Sequence, residues 1–197
     1  MQVDIKNILT NTNSKIKNTA KLNNIRLYEF NLPAIDSCPF AKDCLVYCYA
    51  NKGTYLYKNV QDKYKANYQL TKDSNAFINQ VQSEIDSKKV EAIRIHSSGD
   101  FYSLKYLKSW VKIAKNNPNI IFYGYTKSVP LFRHIEAPSN FVFCFSQGGK
   151  KDHLIKDTDR KAVIFTSHEE RKKAGYVDCT INDLLMTTTH KIGLVYH

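Results

Sequence analysis

Ile120-Ile121-Phe122-Tyr123-Gly124-Tyr125-Thr126-Lys127-Ser128 is followed after a short proline-containing segment by Phe141-Val142-Phe143-Cys144-Phe145-Ser146-Gln147. Each run is apolar without alternation and then turns abruptly polar. A strand with one wet face alternates, whereas a strand covered on both faces does not. Both runs therefore read as central strands, Ile120–Tyr125 and Phe141–Phe145. Upstream lies a helix capped by Ser103, with Leu104, Leu107, Trp110, Val111 and Ala114 on its inner stripe. Asn117-Pro118-Asn119 stops it. Strand, helix, strand in this order predicts parallel pairing through right-handed crossovers.

The same alternation extends in both directions. Ile25–Leu32 reads as a first strand, and Tyr57, Val60, Tyr64 and Tyr68 recur at helical spacing. Asp73 or Ser74 caps a helix that buries Phe77, Ile78, Val81 and Ile85. Ala92–His96 is a short strand. Pro130–Ile135 reads as one or two helical turns, Ala162–Thr166 as a strand before a charged helical turn, and Ile192–Tyr196 as a last strand. The expected fold is α/β: five or six strands in a partial (β/α) barrel or an open, mainly parallel sheet. Residues 1–24 read as a polar N-terminal arm or short helix. Residues 25–197 form a single α/β domain that carries a metal-binding loop at 36–50.

In both architectures functional residues gather at the carboxyl ends of the strands. Here those ends read Asp36-Ser37-Cys38, His96-Ser97-Ser98-Gly99-Asp100, Tyr125-Thr126-Lys127-Ser128, Cys144-Phe145-Ser146-Gln147 and Thr166-Ser167-His168. All would face one side, which predicts a site there.

The first of these loops carries three of the five cysteines, Cys38, Cys44 and Cys48, spaced Cys-x5-Cys-x3-Cys. Soft thiolates crowded in one loop suit an iron–sulfur cluster or zinc. Three readings stand. A [4Fe–4S] cluster on three thiolates, with one iron free, is preferred. Zinc on three cysteines and a distant histidine such as His96 is second. Unliganded core cysteines are third. Cys144, inside an apolar strand, reads as core.

Composition narrows the class. An odd cysteine count, clustered and without a signal-peptide-like start, points to a reducing cytosol rather than a disulfide frame. No apolar run approaches membrane-spanning length, so no membrane partner is expected. Lys and Arg outnumber Asp and Glu by 29 to 18, a net charge of +11, which makes nucleic acid a candidate partner. Lys105, Lys108, Lys112 and Lys115 share one helix face. The alternative is a solvated lysine-rich surface.

The cysteine loop after a first strand resembles that of radical S-adenosylmethionine enzymes, whose usual spacing is Cys-x3-Cys-x2-Cys. In those enzymes three cysteines hold a [4Fe–4S] cluster and the adenosyl cofactor fills the open iron. A glycine-rich turn ending in an acid after the second strand contacts that cofactor; Ser97-Ser98-Gly99-Asp100 stands in the equivalent place. The chain is also similar to the phage and plasmid gene-product-eighty-eight-like family. Cys38-Pro39, Cys44, Cys48-Tyr49-Ala50, Arg94–Phe101 and Phe122–Ser128 carry that likeness.

Together the resemblances imply an iron–sulfur protein of mobile-element type, with a small-molecule pocket beside the cluster. S-adenosylmethionine is its favoured occupant. Ser97, Ser98, Gly99 and Asp100 would shape the pocket, with Asp100 accepting from an amine or ribose hydroxyl. Lys127 and Gln147 would line the rest. The alternative is a metal-stapled, nucleic-acid-binding or regulatory protein.

Overall fold

A computed structural model describes residues 7–46 and 48–195. In chain order its elements are α1 (Ser14–Asn23), β1 (Leu27–Phe30), α2 (Lys58–Leu70), α3 (Ser74–Lys88), β2 (Ala92–Ile95), α4 (Leu104–Asn116) and β3 (Ile121–Thr126). Then follow α5 (Val129–Phe132), β4 (Phe141–Ser146), β5 (Lys161–Phe165), α6 (His168–Lys173), β6 (Val177–Asp178) and β7 (Lys191–Val195). Tyr47, within the cysteine loop, and Tyr196, at the end of the expected last strand, lie outside the described residues.

The strands form one seven-stranded sheet in the order β1-β2-β3-β4-β5-β7-β6. Every neighbouring pair is parallel. The sheet is open, since β1 and β6 stand at its two ends. The seventh strand beyond the expected five or six is β6. It has two residues, too few for any periodicity to mark it.

Strand side chains alternate between two covered faces. One face sends Phe30, Ile93, Ile95, Phe122 and Phe143 against Phe77 and Val81 of α3 and Leu107 and Trp110 of α4. The other sends Leu27, Ala92, Tyr123, Cys144 and Ala162 against Ile16 of α1, Cys179 and Met186. Burial on both faces is why β3 and β4 read as unbroken apolar runs. Each fully buried large side chain contributes roughly 1.5–3 kcal/mol.

Successive strands β1 to β5 are spatial neighbours, so right-handed crossovers put α3 and α4 on the same face. The opposite face is left to α1 and to the turn Asp183–Thr187. Residues 7–24, read as a polar arm or short helix, are packed into the fold: Ile8, Leu9 and Ile16 are buried, and Thr10 bridges Glu29 of β1. The expected caps are in place. Asp73 accepts from the backbone N–H groups of Asn75 and Ala76, and Ser103 from that of Tyr106.

Candidate functional site

The loops that follow β1, β2 and β3 meet over a cavity of about 560 Å³, which the end of β4 also lines. The cysteine loop forms one wall and is tied on three sides. Ser37 donates its hydroxyl to the Pro33 carbonyl at 2.6 Å. Ala41 bridges Gly149, and the Asp43 N–H donates to the Gly148 carbonyl at 3.0 Å. The Tyr49 hydroxyl donates to the Ser97 carbonyl. Two residues beside the cavity, Ile35 at φ 67° and His96 at φ 66°, hold left-handed backbone without being glycine. Such strain persists only where the surroundings over-determine it, and it clusters at functional sites.

Cys38, Cys44 and Cys48 all line this cavity as free, half-buried thiols. Burial pushes the Cys38 thiol up to about 12, with Asp100 and the other two cysteines adding to the rise. Burial also raises Cys44, against the pull of the Lys127 ammonium. The Cys38 and Cys44 thiols are therefore held toward their protonated forms. Among the described residues no group of three His, Cys, Asp or Glu is arranged to hold a metal ion. A metal ligand set here would have to draw the thiols together and expel their protons.

The turn after β2 lines the cavity and is also tied to the protein around it. Ser97 and Ser98 donate their backbone N–H groups to the Asn31 side-chain oxygen, at 2.7 and 3.0 Å. Gly99 sits at φ 86°, and its close approach is to protein: an added Cβ would meet Ser37 Oγ at 2.5 Å and Leu32 Cβ at 2.6 Å. Asp100 is buried. Its carboxylate already accepts from Phe101 N at 2.7 Å, Thr126 Oγ1 at 2.6 Å and Lys127 N at 2.8 Å. It borders the cavity, but its first task is to lock the β2 turn to the end of β3.

Two further candidates, His96 and Gln147, have defined partners. His96 Nε2 lies 2.8 Å from the Tyr106 hydroxyl, and its ring packs on Phe101. Burial, reinforced by Arg94, lowers its pKa to about 3, so the ring is neutral; it also borders the cavity, and its Nδ1 is buried without a hydrogen-bond partner. Gln147 is not among the cavity residues. Its side chain is exposed, and only its carbonyl takes part, accepting from Lys127 Nζ at 2.8 Å. Lys127 does border the cavity, with Ser146 Oγ also 2.8 Å from its ammonium.

The family model described as Gene product 88 matches residues 6–194. The chain belongs to the gene product 88 family. It is 28% identical over 157 residues to the Gene 88 protein of Mycobacterium phage L5, covering 73% of this chain and 62% of that protein. It is 28% identical over 123 residues to the Gene 88 protein of Mycobacterium phage D29, covering 56% of this chain and 51% of that protein. The chain thus spans between half and two thirds of the relatives it matches. No solved structure matches it. No helix among the described residues is long and apolar enough to cross a membrane.

Several residues in and around this gene product 88 cavity were given no role in the site from sequence. Asn31, buried after β1, holds the Ser97–Ser98 turn and donates to the Tyr64 hydroxyl. Arg94, Tyr49, Tyr55, Tyr125, Asn13 and Lys15 all line the cavity. Glu29, Arg94 and Tyr123 stand in register across β1, β2 and β3. A charged residue between apolar neighbours in a buried strand is the signal that marks Glu29 and Arg94. Asn13 and Lys15 lie in the segment read as an arm, where a short basic group, Lys15, Lys17 and Lys21, is the only local mark.

Proposed function

We propose that Cys38, Cys44 and Cys48 hold a [4Fe–4S] cluster, and that the adjoining cavity receives a small molecule, S-adenosylmethionine foremost. The carrying observation is that all three thiols share one cavity with Ser97, Ser98, Gly99, Asp100 and Lys127. The donor set fits such a cluster: three soft sulfur ligands in one loop, leaving one iron without a protein ligand. When bound, the cluster would supply an electron and an open coordination site for reductive cleavage of a sulfonium.

The chain's own contribution is preorganisation. The ties from Ser37, Ala41, Asp43 and Tyr49 fix the loop that presents the thiols. Asp100 holds the Lys127 backbone, and the Lys127 ammonium favours the thiolate form of Cys44. Tyr49, Ala50 and Tyr55 line the cavity beside the thiols. The volume lies in the range that encloses a cofactor-sized ligand. Paramagnetic resonance of the reduced, anaerobic protein tests the cofactor: S-adenosylmethionine should change the cluster signal, and an unchanged signal rejects that occupant.

A second reading rests on the outer surface. Lys105, Lys108, Lys112 and Lys115 of α4 are all exposed, while Leu107, Trp110, Val111 and Ala114 of the same helix are buried. Four cations on one face of one helix suit a nucleic-acid backbone. In that reading the cysteine loop is a metal staple.

A further inference from the structure

Below the strand-end loops the cavity has a basic floor that the cluster reading does not use. Arg94 reaches it from the middle of β2, with its side chain 7% exposed. One guanidinium nitrogen, Nη1, pairs with Asp183. The guanidinium carbon lies 4.7 Å from the Tyr125 ring centroid and 5.8 Å from that of Tyr123. Its Nε and the Tyr123 hydroxyl are buried without a hydrogen-bond partner. A buried donor left unmade is costly, and a guanidinium stays charged.

Lys15 enters the same floor from α1, with its side chain 35% exposed and its Nζ 2.9 Å from the other oxygen of Asp183. Two basic side chains therefore share one carboxylate, and burial, with the Arg94 charge beside it, lowers the Lys15 pKa to about 7. Of the other acids nearby, Glu29 has its carboxyl raised by burial, against hydrogen bonds from Ser97 and Asn31 and the charge of Arg94. Asp178 is within 3.5 Å of Arg171. Ile164, Leu194 and Val195 complete the wall, so Arg94 and Lys15 face a partly apolar enclosure. Charge buried in such a setting is stable only when paired.

We infer that this floor is a ligand subsite: an oxyanion, carboxylate or phosphate, of a small molecule in the cavity binds against Arg94 and Lys15. A planar guanidinium matches the paired oxygens of either group, and the lysine adds a point charge. The apolar wall would meet the rest of the ligand. The inference holds whether or not the three thiols carry a cluster.

The test uses the full chain labelled with 15N-arginine, the Arg94 Nε–H resonance being assigned with Arg94→Lys. The probes are inorganic phosphate and, separately, benzoate. A saturable shift of that resonance with either probe is expected, with phosphate or benzoate alone naming the class and both supporting the shared chemistry. Lys15→Met, which changes a partly exposed side chain, should weaken the affinity about tenfold. The shift should persist when Cys38, Cys44 and Cys48 are all replaced by Ala, and iron content measured in parallel reports on the cluster separately. No saturable shift with either anion, or an unchanged affinity in Lys15→Met, would overturn the inference.

Discussion

The Ser37 hydroxyl stands where a side chain on Gly99 would begin, 2.5 Å from the position of an added Cβ. Two loops from neighbouring strands thus close on each other next to Cys38. Gly99 also holds φ 86°, which L side chains rarely adopt. Gly99→Ala should cost at least about 2 kcal/mol, from backbone strain and overpacking together. Urea unfolding measures it. A loss below about 0.5 kcal/mol would mean that the loops move apart freely.

Asp100 supports a second interlock. Its three donors come from its own turn and from the end of β3, at 2.6 to 2.8 Å. Asp100→Asn replaces one acceptor oxygen by an N–H group facing donors. The expected cost is about 1–3 kcal/mol. The loss should appear in the unfolding free energy, whatever happens to ligand affinity. A variant as stable as the parent would return Asp100 to a purely ligand-directed role.

Glu84 fastens the segment before α1. It accepts from the backbone N–H groups of Ile8 at 2.6 Å and Leu9 at 2.9 Å, and pairs with Lys88 at 2.6 Å. Burial alone would raise its pKa, but Lys88, those N–H groups and Gln80 outweigh it and hold it below the ordinary 4.5. A carboxyl depressed by folding stabilises above its unfolded pKa, and that share is lost as pH falls through the folded value. Glu84→Gln should lower stability at neutral pH by about 1–3 kcal/mol and flatten the decline below about pH 4.5. An acid limb identical to the parent's would contradict this.

The lysine face of α4 makes its own prediction. Under the nucleic-acid reading, affinity should fall by orders of magnitude between about 50 and 200 mM salt. Charge reversal at Lys105, Lys108 and Lys112 should reduce both the affinity and the salt slope. No binding at low salt would leave these lysines as solvated charge.

Sequence alone reached the sheet because its strands bury both faces, so β3 and β4 lack the alternation of an exposed strand, while the α4 stripe and the Ser103 cap are local signals. It reached the cavity wall because parallel strands deliver their carboxyl ends to one side, which brought Cys38, Gly99 and Lys127 together. It missed β6, where two residues carry no period. It missed the Arg94–Asp183 pair because that contact joins β2 to a turn late in the chain. It did not show the protein partners of Asp100 and Gly99, because Thr126 and Ser37 come from other loops. Such pairings depend on register and crossover, not on neighbours in sequence.

The central claim is that Cys38, Cys44 and Cys48 ligate one iron–sulfur cluster. Iron and acid-labile sulfide, measured on protein isolated and reconstituted without oxygen, test it most directly. About four irons and four sulfides per chain are expected. Replacing any one of the three by Ala should remove them, while Cys144→Ala, buried in the sheet, should leave them in place. Stoichiometric zinc without sulfide, or iron retained in a variant lacking all three thiols, would contradict the account.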